Sequence, residues 1–188
     1  MKGLLIGVGV LVIVAVVFGG QLMGSRNQLV TEKNDIDARW AQVENDMKRR
    51  ADLIPNLVAT VQGYAKQEQA VIGEVTSARS ALLGARSKED AINANNQLSG
   101  AIGRLLVLQE SYPQLKSNEN FLRLQDELAG TENRIAVDRR DYNEAIRKYN
   151  TDVELFPRNI AAGIFGFHRD NAYFKTTEEE KKVPQVKF

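Results

Sequence analysis

The chain has 188 residues, enough for one domain and an anchor but not for two sizeable domains, and its 25 basic and 24 acidic residues leave a net charge of +1. That balance excludes a strong field for steering nucleic acid or an acidic substrate. The absence of cysteine excludes a disulfide framework, a thiolate nucleophile and a thiolate metal site.

The first element is apolar. From Gly3 to Gly20 no charged or strongly polar side chain interrupts the run; Gln21 is the first break, and Arg26 is the next charge after Lys2. A helix rising about 1.5 Å per residue needs roughly 20 such residues to cross about 30 Å of hydrocarbon. Inside lipid a helix is the form in which such a segment bonds its own backbone. Residues 1–24 therefore read as a retained single-pass transmembrane anchor. A cleaved signal peptide would have a shorter apolar core and a small-x-small site, which the sequence around Val17-Phe18-Gly19 supplies poorly. A buried core helix would show a polar face, and this segment has none. Positive charge nearly balances across it, Lys2 and the amino terminus before, Arg26, Lys33 and Arg39 after. The expectation leans to a signal anchor in the cell (inner) membrane with the soluble part extracytoplasmic, on the periplasmic side.

The soluble part is read as helical throughout. Leu29, Ile36, Trp40, Val43, Met47 and Ile54 recur at spacings of three, four and seven, a one-sided stripe of coiled-coil type. Pro55 should break or kink this helix, because it lacks an N–H and clashes with the preceding turn. The stripe resumes at Val58, Val61, Ala65, Ile72, Val75, Ala78 and Leu82, so one bent helix from about Arg26 to Leu83 is expected, with two abutting helices as the variant. Gly84 follows as a C-cap, and Ser87-Lys88-Glu89-Asp90 opens the next helix with a capping serine and first-turn acids. That helix carries Ile92, Leu98, Ile102, Leu105, Leu106 and Leu108 and ends at Ser111-Tyr112-Pro113. Ser117 to Asn120 opens the last long helix, whose stripe runs Phe121, Leu124, Leu128, Thr131, Ile135, Tyr142, Tyr149, Val153 and Phe156, with Asp138 the exception. It spans about 38 residues, on the order of 57 Å, and Pro157 stops it. Helices of this kind bury their stripes against one another. The fold class is all-α: the transmembrane helix, then an elongated antiparallel bundle of three to four long helices over 25–157. An apolar and aromatic segment follows over 158–175, and a flexible tail over 176–188.

The order of motifs resembles the LemA family. It is carried by Arg49-Arg50-Ala51-Asp52-Leu53-Ile54-Pro55-Asn56-Leu57-Val58 and Gly63-Tyr64-Ala65, then Tyr112-Pro113, Leu115-Lys116 and Asn120-Phe121. Glu132-Asn133-Arg134-Ile135-Ala136, Arg139-Arg140, Tyr142-Asn143, Tyr149-Asn150, Phe156-Pro157 and Gly166-Phe167 continue it. The resemblance covers about Leu29 to Phe174; Gln67-Glu68 departs from it, since members often have His before Glu. It implies an N-terminal transmembrane helix, an antiparallel helical bundle and no established enzymatic activity. It also implies a setting near membrane metalloproteases or other envelope proteins, with one relative serving in building magnetosome membranes.

No residue constellation reads as a catalytic centre. His168 is the only histidine and lies between Phe167 and Arg169, which reads as an ordinary surface or interfacial position. Glu44 with Asp46, and Asp126 with Glu127, are acids of a solvated helix rather than an acid–base pair. The expectation is a chain that is not an enzyme and has no cofactor, no metal site and no nucleic-acid partner. Two surfaces stand out. Arg49, Arg50, Asp52, Pro55 and Asn56 crowd a helix break; they either satisfy the kink and brace a neighbour through Glu132, Arg134 or Arg139, or dock another copy or a partner. Ile160, Ile164, Phe165, Phe167, Tyr173 and Phe174 form an apolar segment too short to span, which caps the bundle, lies on the membrane or packs on a neighbouring subunit. The expected function is a membrane-anchored, non-catalytic scaffold that self-associates as a homo-oligomer and supports envelope assembly, membrane organisation or quality control. The alternative is a monomeric adaptor of another membrane or envelope protein, such as a protease. The expected partners are the lipid bilayer, further copies of the chain and such a protein.

Overall fold

The computed structural model describes residues 2–175. The expected tail over 176–188 lies outside the described residues. Among the described residues every regular element is helical: α1 (Lys2–Tyr64), α2 (Gln69–Leu83), α3 (Lys88–Val107), α4 (Pro113–Lys116), α5 (Glu119–Glu154) and α6 (Arg158–Phe165), with a 3-10 turn at Leu108–Glu110.

The chain does not break at Pro55. The helix runs through it to Tyr64, and the reversal comes at Ala65–Glu68 instead, where the Glu68 N–H donates to the Ala65 carbonyl at 3.1 Å. Neither one bent helix to Leu83 nor two helices abutting at Pro55 describes this. A proline in a helix forfeits the bond to the carbonyl of residue i−4 and crowds it with its ring, and the helix can continue through it when that carbonyl finds another donor. Here the orphan is the Ala51 carbonyl, and the Arg79 Nε of α2 donates to it at 2.8 Å. The same contact sets Ala51 against Arg79 across the reversal, so α1 and α2 run antiparallel.

The remaining ends follow the local chemistry. Ser87 sits in extended backbone (φ −130°, ψ 161°) and its hydroxyl accepts from the Asp90 N–H at 3.0 Å, with Glu89 and Asp90 in the first turn. The Asn118 carboxamide oxygen accepts from the Phe121 N–H at 2.9 Å and caps α5. Gly166 ends α6 with φ 73°, a left-handed conformation that side chains disfavour, and the Phe167 N–H returns to the Ala162 carbonyl at 2.9 Å.

The chain divides into two compact units: residues up to Trp40 with Asp141–Tyr173, and Ala41–Arg140 with Phe174. In the first, α1 and α5 lie antiparallel, since Gln28 meets Asp152, Glu32 meets Lys148 and Arg39 meets Asp141. Its core holds Leu29, Ile36, Tyr142, Ile146 and Tyr149, and the Trp40 and Tyr142 rings tilt together at 5.3 Å. In the second unit four helices share a core of Val43, Met47, Ile54, Val75, Leu98, Leu105, Phe121 and Ile135. Arg104 of α3 grips Glu74 of α2 with two hydrogen bonds, at 2.7 and 2.8 Å. Near the α1–α2 reversal, the Tyr112 hydroxyl donates to Glu68 at 2.9 Å and accepts from Gln67 at 2.7 Å, and Asn118 donates to the Tyr64 hydroxyl at 2.9 Å. The bond to Glu68 holds the Tyr112 phenol above its ordinary range, because it stabilises the protonated form.

Candidate functional site

The Arg49–Asn56 stretch divides between the two faces of α1. Arg49, Asp52, Pro55 and Asn56 are exposed, whereas Arg50 is only 4% exposed and points into the second unit. There its guanidinium lies 2.6 Å from Glu132 of α5 and donates to Ser99 at 3.0 Å and Asn95 at 3.4 Å, both on α3. Burial pushes the Arg50 pKa down, and the Glu132 carboxylate opposes that. Arg50 is thus an internal tie among three helices and not part of a docking surface. Arg134 reaches Asp46 at 3.6 Å. On the outer side Arg49 and Leu53 border a groove of about 310 Å³ together with Arg123, Asp126, Glu127 and Arg134.

The C-terminal segment is also divided. In the first unit Asn150, itself buried, receives the Asp170 N–H on its oxygen at 2.8 Å and donates through its amide nitrogen to the Asp170 carbonyl (2.7 Å) and the Tyr173 hydroxyl (2.9 Å). The Tyr149 hydroxyl donates to the His168 carbonyl at 3.0 Å. Burial first, then the nearby Asp170 and Glu32 charges, raise the Tyr149 pKa. His168 contributes its backbone to this clasp while its side chain is exposed. The Phe165 ring lies under the Arg26 guanidinium at 5.7 Å; Ile160, Phe167 and Tyr173 are half-buried and Ile164 is exposed. In the second unit Phe174 is buried, with the Arg139 guanidinium 4.8 Å over its ring. Replacing Asn150 by alanine removes three hydrogen bonds from a buried position, each worth about 0.5–1.5 kcal/mol. Amide exchange over 167–173 should then speed at least tenfold while the α5 amides stay protected, as hydrogen-exchange mass spectrometry will read.

A buried polar cluster lies one to two turns beyond the apolar stretch of α1. Glu32, 6% exposed, accepts from Gln28 at 3.1 Å and faces Lys148 at 3.6 Å; Gln28 also donates to Asp152 at 3.3 Å, and Arg158 pairs with Asp152. Burial, then the bond to Asp152, raises the Glu32 pKa above its ordinary 4.5. A carboxyl whose folded pKa is raised binds its proton more tightly than in the unfolded chain, so its contribution disfavours folding increasingly as pH rises from the unfolded to the folded pKa, and is fully relieved only below the unfolded one. Glu32→Gln should therefore raise Tm at pH 7. The gain should shrink as pH falls through the acid range and the native carboxyl takes up its proton, as scanning calorimetry over a pH series will check.

Beside this cluster a cleft of about 690 Å³ opens between the end of the apolar stretch (Phe18, Leu22) and the α5–α6 elbow (Leu155, Phe156, Ile160), with Gln28, Asp152 and Arg158 also at its wall. The apolar stretch of α1 is long and apolar enough to cross a membrane, and none of it is buried against the protein. Among the described residues no group of three His, Asp or Glu stands together as a metal cluster.

The LemA family profile matches residues 39–188. The chain belongs to the LemA family. Among similar proteins, Magnetosome protein MamQ 2 of Paramagnetospirillum magneticum is 28% identical over 184 residues, covering 84% of this chain and 68% of that protein. Protein LemA of Metamycoplasma hominis is 24% identical over 160 residues, covering 85% and 73%. Magnetosome protein MamQ of Magnetospirillum gryphiswaldense is 26% identical over 192 residues, covering 88% and 70%. Several motifs by which this LemA chain resembles its family have structural employment here: Arg50 ties helices, Pro55 frees the carbonyl that Arg79 takes, and Tyr149-Asn150 clasps the C-terminal segment. Arg79, Asn95, Ser99 and Asp152 were not singled out from the sequence, and Glu32, read there as part of the solvated face between the stripe positions, is buried instead. Glu32 had a signal there, because an acid three residues after Leu29 and four before Ile36 falls on the apolar stripe.

Proposed function

We propose that this LemA protein is a single-pass, membrane-anchored, non-catalytic scaffold that self-associates through its helical bundle and supports envelope assembly, membrane organisation or quality control. The observation that carries the reading is the continuity of α1. Its unpacked apolar stretch passes without a break into turns whose Leu29 and Ile36 are fully buried in the first unit. A helix without a linker transmits the tilt of the anchor to the unit it enters, so that unit is held in a set place and orientation. The similarity to magnetosome proteins supports a role in a membrane-bounded assembly. We place the anchor in the inner membrane, as a signal anchor, with the bundle on the extracytoplasmic side.

Two measurements test this. Cross-linking and light scattering of the detergent-solubilised protein should give a discrete oligomer; a strict monomer at membrane-like concentration would overturn self-association. Protease added to intact cells with a permeabilised outer envelope should cut the bundle, and inverted vesicles should protect it; the reverse pattern would overturn the orientation.

The exposed Arg49, Asp52 and Asn56 beside the arginine-rimmed groove favour a second reading, a monomeric adaptor docking a membrane partner such as a protease. Arg49→Ala with Asp52→Ala should then abolish affinity capture of that partner while leaving helicity unchanged, since neither side chain is buried. Unchanged capture would remove this surface from the reading.

A further inference from the structure

We propose that the elbow between α5 and α6 is a second membrane contact: it seats in the interface of the leaflet where α1 emerges, and the cleft it forms with α1 takes phospholipid acyl chains. The inference rests on the reading of α1 as the anchor and goes beyond it by naming a site for lipid on the folded part. Large apolar side chains of the elbow and of the short helix after it are exposed, Leu155 at 59% and Phe156 at 78% in the elbow and Ile164 at 60% near the end of α6. Such a cluster on a folded unit marks something that covers it.

The cleft identifies the occupant. Its wall includes Phe18 and Leu22, the last turns of the apolar stretch, so whatever fills it must be compatible with the medium that surrounds those turns. With α1 spanning the bilayer, the α1 wall of the cleft, from Phe18 to Gln28, covers about 15 Å of the helix axis and so runs from the edge of the hydrocarbon into the headgroup layer. Cations belong at that boundary, where their stems lie along apolar surface and their heads reach phosphate. Arg26 and Arg158 occupy it here, the first over the Phe165 ring and the second beside Asp152. Short amphipathic segments with aromatic and aliphatic faces lie in this layer. Lipid from the same leaflet therefore covers the elbow, and a second copy of the chain does not.

The chain has no cysteine, which makes site-specific labelling clean. Single-cysteine variants F156C, I164C, V12C and R147C would carry an environment-sensitive fluorophore in the full-length protein. They would be reconstituted in phosphatidylcholine–phosphatidylglycerol vesicles containing lipids spin-labelled either near the glycerol or deep in the acyl chain. Val12 reports the anchor, and Arg147, 72% exposed on α5, reports the watery side of the same unit. Both elbow probes should be quenched at least threefold more by shallow label than the Arg147 probe, and the Val12 probe most by deep label. Val12 quenched while both elbow probes behave like Arg147 would overturn the lipid contact and leave the anchor standing. An unquenched Val12 probe would overturn the anchor and the elbow contact together. Elbow probes that are shielded from aqueous iodide, insensitive to the lipid quenchers and exposed on diluting protein into lipid would mean a second copy covers the patch, which also overturns the proposal.

Discussion

Replacing Pro55 by alanine is expected to stabilise the protein by about 2 kcal/mol, against the usual direction of substitutions inside a signature motif. A proline in a helix interior costs about 3 kcal/mol relative to alanine, through the lost i−4 bond and ring contact. Part of that cost is already recovered, since Arg79 supplies a donor to the Ala51 carbonyl at 2.8 Å. Pro55 is exposed, so alanine creates no cavity there. The two positions must then be coupled. Arg79→Met alone strands a carbonyl on the buried Ala51 and should cost about 1–3 kcal/mol. In the Pro55→Ala background the backbone N–H gained at that position restores the helical bond, and the same Arg79→Met change should cost less than about 1 kcal/mol. Thermal unfolding of the four proteins in detergent gives the interaction energy directly, and strict additivity would sink the account. Were Pro55→Ala more stable yet unable to support self-association, the proline would be kept for what it presents and not for what it holds.

The helices were readable because each carries a long one-sided stripe, and residues such as Leu29, Ile36, Val43, Phe121, Leu128 and Ile135 fall inside as that periodicity requires. The caps at Ser87 and Asn118 were readable for the same local reason: a short polar side chain placed just before a helical run satisfies its free N–H groups. The reversal at Ala65–Glu68 was not, because the stripe continues through Val61, Ala65 and Ile72 without losing phase. Pro55 looked like the better breaker only while Arg79, far along the chain on the next helix, was not known to be its partner. Long-range polar ties leave no periodic trace of their own. Their trace is an anomaly in someone else's pattern: Glu32 between Leu29 and Ile36, Arg50 between Met47 and Ile54, Asn95 between Ile92 and Leu98. Each of these stands on an apolar stripe and is buried. The candidate surfaces were legible only as segments, and the fold sorted their side chains, turning Arg50 and Phe174 inward while leaving Arg49, Asp52 and Ile164 outside.

The tie around Arg50 carries the second large expectation, and its size depends on which partner is removed. Glu132→Ala should cost about 3 kcal/mol, because it leaves a buried guanidinium with only the neutral Asn95 and Ser99 as hydrogen-bond partners and the like charge of Arg139 nearby. That is the lower end of the roughly 3–5 kcal/mol typical of breaking a buried pair, since the Glu132 side chain is 42% exposed and water can reach the vacated position. Arg50→Met removes the charge itself. It keeps most of the side-chain volume and leaves Glu132 free to turn to solvent, so its cost should stay below about 1.5 kcal/mol. Adding Arg50→Met to Glu132→Ala should then recover stability, an uncommon result in which the second substitution repairs the first. Urea unfolding of the single and double variants decides it: equal costs for the two single changes would mean the pair acts through packing, with no penalty for a stranded charge. If the ordering holds, the Arg50 position was selected for more than stability, because an apolar side chain would serve the core nearly as well. Its three polar partners lie on α3 and α5, so a charged Arg50 fixes the register of α1 against both where a methionine would tolerate sliding. The consequence is measurable: Arg50→Met should lose the slowest-exchanging α1 amides around 47–54 before it loses global stability.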